Sequence, residues 1–277
     1  MKPALVTDSN SQIPDSLRAQ FDVRVVPIPV VVNDVDYLEG IDLDADGFYE
    51  FFADGNTPEV STSQPSPGDF VAAYQRCIDR GHDEIVSVHV AEAFSGTINA
   101  ARIAADLVDA TVHLVDSATA SFGVACCAWQ AGLVRDAGGD ATAMVAAAET
   151  TAERLHSVTA LGAAALLDQS GRVDLDLSDD GIHMFTTGPG GAFDSIGTAT
   201  TVDDVCDRVA GAMHLDGAPI RVALGVADAS SLPYYGELEA RLKERDDVIE
   251  ILRYRIGPSV GALTGPGTAG GFWYAAD

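Results

Sequence analysis

The residues that could do chemistry stand in four short polar turns. The turns combine hydroxyl side chains with glycines and carry two aspartates, Asp8 and Asp116. Such a set predicts an anion cradle or a hydrogen-bonding pocket, because two aspartates on separate turns offer too few oxygens for a magnesium site. The turns are Thr7–Ser11 (TDSNS), Ser61–Pro67 (STSQPSP), Phe94–Thr97 (FSGT) and Val115–Gly123 (VDSATASFG).

The Ser-Gly-Thr turn at residues 95–97 precedes an apolar stripe at helical spacing. We expect Ser95 to be the N-cap, Gly96 to let the backbone approach a ligand, and Thr97 to add a hydroxyl. A helix N-terminus suits an anion, but a phosphate-binding P-loop would need a lysine, and none is near. The turn therefore fits a single negative charge such as a carboxylate, although a serine that only caps its helix would give the same pattern.

Strands alternating with helices are predicted to position these turns. The first half of the chain indicates βαβ units with a parallel sheet, whose carboxyl edge would gather the turns into a ligand site. After about residue 155 the pattern of predicted strands and helices changes, which indicates a second α/β domain. The predicted domains are therefore 1–155 and 156–277. Predicted strands cover residues 3–10, 22–32, 83–91, 110–118, 219–228 and 247–257, with two more inside 181–200; predicted helices lie within 44–55, 66–81, 95–110, 121–139, 140–155, 201–213 and 231–246.

The composition is that of a packed but very acidic protein. Its formal net charge is −26, and 47% of the 277 residues are hydrophobic. A surface this acidic repels nucleic acid and anionic lipid headgroups. The four cysteines lack the spacing of a zinc site or a disulfide framework. With no signal-peptide pattern and no apolar run of membrane-spanning length, we expect a cytoplasmic protein without a metal or cofactor.

Taken in order, the motifs resemble the DegV family, which includes the fatty-acid-binding subunits of bacterial fatty-acid kinase. The resemblance rests on VTDSNS, VPIPVVV, TSQPSPGDFVAAY, VSVHVAEAFSGTINAA, VDSATASFG, LLDQSGRV and GALTGPGTAGG. It implies two α/β domains, the first with a mostly parallel sheet flanked by helices, and a ligand cleft or tunnel at their junction. It also implies a carrier that binds one long-chain fatty acid and presents it to a separate kinase for acyl-phosphate formation.

The resemblance also assigns residues. It implies that the carboxylate is bound by Thr62, Ser63, Ser95, Gly96 and Thr97, with Asp8, Ser9, Phe94, Asp116, Ser117 and Leu263 as the supporting pocket. Arg172 matches a position associated with kinase docking, and a surface arginine that neutralises nearby aspartates is an equally good interpretation. Leu263 stands where the family commonly has a histidine, which would leave more of the carboxylate to Thr62 and Ser95. Candidate tail-binding stretches are residues 158–167 and 182–188, with Phe94 and Phe122.

Two other functions stay open at this stage. A hydrolase or transferase acting on a small acid or ester would need a serine with a base, and the six histidines are scattered without a GxSxG motif. Asp8 could serve as an aspartyl nucleophile, but it lacks a second aspartate two residues later. The chain could also carry another apolar acid, such as an acyl phosphate or a prenyl acid.

Overall fold

The computed structural model describes residues 2–169, 181–187 and 193–276. The chain forms two compact units. The first unit comprises Met1–Leu43 and Glu59–Glu153, and the second comprises Asp44–Pro58 and Arg154–Asp277. Residues 44–58, which the predicted boundary at 155/156 placed in the first domain, therefore group with the second unit.

Thirteen strands and ten α-helices are found within the described residues. The strands are β1 (Ala4–Asp8), β2 (Arg24–Val26), β3 (Pro29–Val32), β4 (Val35–Leu38), β5 (Val60–Thr62), β6 (Glu84–His89), β7 (Thr111–Asp116), β8 (His156–Leu161), β9 (Ile182–Thr187), β10 (Phe193–Ala199), β11 (Ile220–Val226), β12 (Val248–Arg255) and β13 (Ala269–Ala275). The helices are α1 (Asp15–Gln20), α2 (Ala45–Glu50), α3 (Pro67–Ile78), α4 (Thr97–Ala105), α5 (Phe122–Asp136), α6 (Ala141–Arg154), α7 (Ala164–Gln169), α8 (Val202–Ala212), α9 (Pro233–Lys243) and α10 (Pro258–Thr264).

The main sheet of the first unit is parallel throughout, in the order β2-β1-β6-β7. Its strands are short and apolar because the crossover helices cover them. Ala4 and Val6 of β1 pack with Phe70 and Tyr74 of α3 and with Ala101 of α4 in one buried cluster. The predicted α/β class with a helix-flanked parallel sheet is confirmed.

The β-branched run at residues 22–32 does not form one strand. It divides into β2, at the edge of the parallel sheet, and β3, the centre of a three-stranded antiparallel sheet β4-β3-β5. Pro27 and Pro29 flank the break, because proline cannot donate to a ladder and is tolerated best at a strand's first residue. This small sheet ends at Thr62, and so leads directly into the TSQPS turn.

The second unit is built on a six-stranded mixed sheet in the order β10-β9-β8-β13-β11-β12. β11 and β12 are parallel, and the other neighbouring pairs are antiparallel. Its core includes Val205, Val209 and Leu238 from α8 and α9, packed with Val222 and Leu224 of β11. The prediction of a second α/β domain is thereby confirmed.

The four cysteines are buried free thiols. Burial raises the pKa of the Cys127 thiol to about 12, although a backbone hydrogen bond acts in the opposite direction. Reactive cysteines have the opposite shift, so this thiol has the character of a core residue. Across the described ranges, no helix is both long and apolar enough to cross a bilayer.

Candidate functional site

Three of the four polar turns lie at the carboxyl edge of the parallel sheet. β1 ends at Asp8, β6 at His89 and β7 at Asp116. Thr7 pairs with Val88, and His89 pairs with Asp116, so the three strand ends are adjacent. Parallel strands place the loops that follow them at one edge, which is where ligands bind in open α/β sheets.

The Ser-Gly-Thr turn starts α4, but Ser95 is not its N-cap. Gly96 holds the N-cap position, and its carbonyl accepts from the Ala100 N–H at 3.1 Å. The prediction for Ser95 is wrong by one residue because Ala91 to Ser95 form a preceding turn, in which the Ser95 N–H donates to the Ala91 carbonyl at 3.1 Å. The chain enters the helix only after that turn closes.

Ser95 and Thr97 form a local hydroxyl pair. Their Oγ and Oγ1 atoms are 2.8 Å apart, and Ser95 Oγ also accepts from the Thr97 N–H at 3.3 Å. Ser95 is half-buried, whereas Thr97 is fully buried. The more accessible hydroxyl of Ser95 therefore contacts the fully buried hydroxyl of Thr97.

The TSQPS turn contacts the Ser-Gly-Thr turn through Gln64. A Cβ atom placed on Gly96 would lie 2.2 Å from Gln64 Oε1 and 2.8 Å from its Cδ, so the amide rests against the glycine backbone. Thr62, at the end of β5, is half-buried, and Ser63 is exposed. The five predicted hydroxyl and glycine positions therefore belong to two turns in contact, namely Thr62, Ser63, Ser95, Gly96 and Thr97.

Asp8 lies beneath this edge as a fully buried and fully hydrogen-bonded carboxylate. Its Oδ1 accepts from the Asn10 N–H at 3.0 Å, while Oδ2 accepts from Val90 N–H at 3.2 Å and lies 2.9 Å from His89 Nδ1. Neither Asp8 nor His89 exposes any side-chain surface. Since its oxygens already have these partners, Asp8 supports the strand ends from within.

A chain of polar contacts continues from this pair into the core. His89 Nε2 lies 2.7 Å from Ser87 Oγ, and Ser87 Oγ lies 3.0 Å from Tyr74 OH. Burial raises the pKa of Tyr74, and the hydrogen bond to Ser87 offsets only part of that increase. The tyrosine thus stays protonated, and its hydroxyl can donate to Ser87 Oγ, which in turn can donate to His89 Nε2 while His89 Nδ1 donates to Asp8.

This connectivity of Ser87, His89 and Asp8 is that of a serine-hydrolase triad. All three residues have a relative exposure of 0%, however, so an ester has no route to Ser87 Oγ in this structure. Residues two apart on a strand share a face, and that spacing is the signal that would have joined Ser87 to His89.

Ser9, predicted as part of the pocket wall, is occupied by internal contacts. Its hydroxyl donates to Glu39 Oε2 at 2.5 Å and accepts from the Ile28 N–H at 2.9 Å. Glu39 is buried, and Gln12 Nε2 donates to its Oε1 at 3.3 Å. Glu39 directly follows β4 and is thirty residues from Ser9 in the chain. No local motif around Ser9 therefore indicated this contact.

The Asp116 turn is shaped by its own side chain. Asp116 Oδ1 accepts from the Ala118 N–H at 2.9 Å and Oδ2 from the Glu92 N–H at 3.3 Å, which links this turn to the one after β6. Ser117 is buried, and its N–H donates to the His89 carbonyl at 3.1 Å. Ser121 adopts φ 58° and ψ −147°, a conformation that favours glycine. A hydrogen bond from its N–H to Asn10 Oδ1 at 2.8 Å holds it there.

The predicted apolar residues fall in different settings. Phe94 is half-buried beside Ser95, and Phe122 is fully buried at the start of α5. In the second unit, Leu263 packs against an apolar cluster of Leu161, Ala164, Leu167 and Phe185. Members of both predicted tail-binding stretches thus meet at Leu263. Arg172 and Gly188 lie outside the described residues.

Among the residues that the structure describes, no three metal-ligating side chains cluster. The candidate site brings hydroxyls, an amide and backbone N–H groups together around the start of α4. Such a set can donate hydrogen bonds to a single anion.

Comparison with known proteins agrees with this architecture. The family model of DegV matches residues 2–175. A DegV domain-containing protein of Mycobacterium tuberculosis is 32% identical over 174 residues, which cover 62% of this chain and 60% of that protein. The match thus spans about three-fifths of the length of that curated relative.

Two solved structures resemble the whole chain. One is a DegV family protein from Thermus thermophilus that is 25% identical, with a TM-score of 0.89 and coverage of 100% of both chains. That structure is described as showing the fatty-acid binding of the Thermus protein. A DegV lipid-binding protein from Thermotoga maritima is 20% identical, with a TM-score of 0.87 and coverage of 100% of this chain and 99% of that one, and shows the shared fold. The chain belongs to the DegV family.

Proposed function

We propose that this protein binds one long-chain fatty acid non-covalently. The carboxylate is held by Thr62, Ser63 and the Ser95–Gly96–Thr97 turn, and the acid is presented to a separate fatty-acid kinase. The fatty-acid binding described for the Thermus thermophilus relative supports the ligand class. The observation that carries the proposal is the contact between the TSQPS and Ser-Gly-Thr turns at the start of a helix.

The hydroxyl pair explains how a neutral serine can hold a carboxylate. When Thr97 donates its hydroxyl proton to Ser95 Oγ, that oxygen accepts both from Thr97 Oγ1 and from the Thr97 N–H. The hydroxyl proton of Ser95 is then left to donate outward. A hydrogen bond to a charged acceptor is worth about 1.5–3 kcal/mol, so Ser95 is a substantial contributor to head-group affinity.

The tail supplies most of the affinity in this proposal. Each buried methylene contributes roughly 0.8 kcal/mol before ordering costs, so a long acyl chain outweighs every head-group contact together. The hydroxyls then select a free acid, and apolar contacts set the strength of binding. Phe94, beside Ser95, is the tail contact that we place nearest the carboxylate.

The proposed kinase partnership rests on the family resemblance. Arg172 is the proposed docking residue, and Leu263 replaces the histidine that commonly precedes the Thr-Gly-Pro-Gly motif. A leucine cannot donate to a carboxylate. Presentation to a kinase therefore relies more on Thr62 and Ser95 in this chain.

Lipid extraction and binding measurements test the function. Native mass spectrometry before and after organic extraction is expected to show a co-purified fatty acid. After delipidation, Ser95→Ala and Thr62→Ala should each weaken palmitate binding about 10-fold, whereas Ser16→Ala, an exposed serine on α1, should not. Unchanged affinity in both site variants refutes the head-group assignment. An extracted acid of another class, or an empty protein that hydrolyses esters, refutes the fatty-acid carrier.

A further inference from the structure

We propose that Gln64 is a specificity-determining residue for the head group, and that Gly96 is a glycine in order to seat it. This inference rests on the proposed function, because it names a further contact of the same carboxylate. It assigns to the side-chain amide of Gln64 a direct hydrogen bond with the ligand.

The backbone of Gly96 does not itself require glycine. Its φ of −73° and ψ of 8° are accessible to any residue. The restriction comes from Gln64, since a Cβ on Gly96 would lie 2.2 Å from Oε1, 2.8 Å from Cδ and 3.1 Å from Nε2. Contacts under 3.0 Å force a shift, and because the contacting atoms are the end of the Gln64 side chain, a larger residue at position 96 displaces the amide and not the backbone.

Hydrogen bonds and a buried proline hold the backbone on both sides of Gln64. Before it, Ser63 N–H donates to the Pro29 carbonyl at 3.1 Å, at the end of the small sheet. After it, Pro65 is buried, and a capping box fixes the start of α3, with Asp69 N–H donating to Ser66 Oγ at 3.2 Å and Ser66 N–H to Asp69 Oδ2 at 2.8 Å. Gln64 therefore reaches the start of α4 from a fixed position.

The chemistry of an amide suits this place. Gln64 Oε1 is the amide atom nearer to Gly96, and Nε2, which carries two N–H donors, is the farther one. The Gln64 side chain is exposed. It contacts Gly96, whose neighbours in the chain are Ser95 and Thr97. A carboxylate bound at Ser95 can accept a hydrogen bond from Nε2, and the amide adds a donor without adding charge.

Three variants test the contact. Gln64→Glu keeps the shape but turns the donor into a like charge, so its affinity for palmitate should fall by at least about 10-fold at neutral pH, while its affinity for hexadecanol should stay within about 2-fold. Gln64→Ala should lower palmitate affinity by a smaller factor. Gly96→Ala should have the same effect as Gln64→Ala, and the double variant should show no further loss, because the two changes remove one contact.

The outcomes separate this inference from the proposed function. If Gln64→Glu and Gln64→Ala both bind palmitate as the wild type does while Ser95→Ala does not, the role of Gln64 is refuted and the carrier function stands. Additive losses in the double variant refute the seating role of Gly96. Wild-type protein that binds no fatty acid refutes the proposed function itself. Circular dichroism confirms that each variant is folded, and the Gln64 variants decide the matter alone if Gly96→Ala does not fold.

Discussion

At the scale of single residues, Thr97 is the partner that directs the Ser95 hydroxyl in the proposed arrangement, where Thr97 donates to Ser95 Oγ. Thr97→Val keeps the buried shape but removes the hydroxyl 2.8 Å from Ser95 Oγ, so Ser95 loses the donor that orients it. One hydrogen bond of about 0.5–1.5 kcal/mol corresponds to a loss of affinity of about 2- to 12-fold. Titration of delipidated protein with palmitate measures this loss. Thr97→Ser should bind nearly as the wild type does, and a serine variant as weak as the valine variant would contradict the role of the hydroxyl.

His89 is expected to matter for stability. Its replacement by leucine removes the ring between Asp8 Oδ2 and Ser87 Oγ, two buried polar groups. Asp8 Oδ2 keeps the Val90 N–H and Ser87 Oγ keeps the Tyr74 hydroxyl, so each group loses one of its hydrogen bonds. One such bond is worth about 0.5–1.5 kcal/mol, and about 1.5–3 kcal/mol when it goes to a carboxylate, so the free energy of unfolding of the first unit should fall by roughly 3 kcal/mol. Urea unfolding followed by Trp129 fluorescence, in a Trp273→Phe background, reports on this unit because Trp129 lies in α5.

The matched control for that measurement is His82→Ala. His82 is half-buried near the protein surface, and its Nδ1 contacts the Lys2 carbonyl at 2.9 Å. Its loss should change the free energy of unfolding by no more than about 0.5 kcal/mol. Equal effects of the two histidine substitutions would show that the buried chain of polar contacts does not stabilise the first unit.

At the scale of elements, Asp228 joins two loops of the second unit. Its carboxylate accepts from the Gly267 N–H at 2.8 Å, from Ser230 Oγ at 2.9 Å and from Ser231 Oγ at 3.2 Å. This ties the end of β11 to the turn before β13 and to the segment that precedes α9. Burial alone would raise the pKa of Asp228, but these hydrogen bonds together bring the pKa below its ordinary value of 3.8.

The lowered pKa gives the Asp228 contribution a definite pH dependence. The unfolded chain binds the proton more tightly than the folded one, so the contribution is complete above pH 3.8 and is lost as the pH falls through the lower folded pKa. Asp228→Asn should cost about 1 kcal/mol at neutral pH, because hydrogen bonds to a charged acceptor are stronger. Unfolding followed by Trp273 fluorescence, in a Trp129→Phe background, measures this cost. A difference that persists undiminished in acid would contradict the assignment.

The elements also show which patterns in the sequence predict structure well. Pro67 and the Ser66–Asp69 box are local signals, and α3 begins at Pro67, inside the predicted range 66–81. The prediction of a single strand over residues 22–32 was wrong. The β propensity of β2 and β3 is similar, so it does not reveal that the two strands pair with different partners. Only the pairing of each half with a distant strand separates them. Local chemistry thus locates elements better than it assigns them to sheets.

At the scale of the whole molecule, some residues of the candidate site can be selected from local sequence patterns and others cannot. The positions Thr62, Ser95 and Thr97 could be selected from the sequence because hydroxyl-rich turns are a local pattern, although Thr62 ends a strand of the small sheet while Ser95 and Thr97 follow a strand of the parallel sheet. Their role in carboxylate binding stays a prediction. Glu39 and Gln64 could not be selected in this way, since their importance comes from contacts with Ser9 and Gly96 about thirty residues away. The N-cap of α4 was also predicted one position too early, at Ser95 instead of Gly96. The turn in which Ser95 N–H donates to the Ala91 carbonyl has no strong signature in the sequence.

The net charge of −26 should act on an anionic ligand from every side. The Debye length is about 30 Å at 0.01 M salt and about 8 Å at 0.15 M, so at low salt the whole acidic surface repels an approaching carboxylate. We therefore expect the association rate constant of a fatty acid to rise several-fold over this range of salt concentration. Stopped-flow measurements with a fluorescent fatty acid at submicellar concentration would detect the increase.

A neutral ligand with the same tail isolates the electrostatic part of that response. Salt also strengthens the burial of apolar groups, but that effect acts equally on a fatty acid and on the corresponding alcohol. The association rate constant of the alcohol should therefore change little between the two salt concentrations. If acid and alcohol accelerate equally, salt acts through the tail. If only the acid accelerates, the acidic surface opposes capture, and the neutral donors at Ser95 and Gln64 must hold the carboxylate against that field.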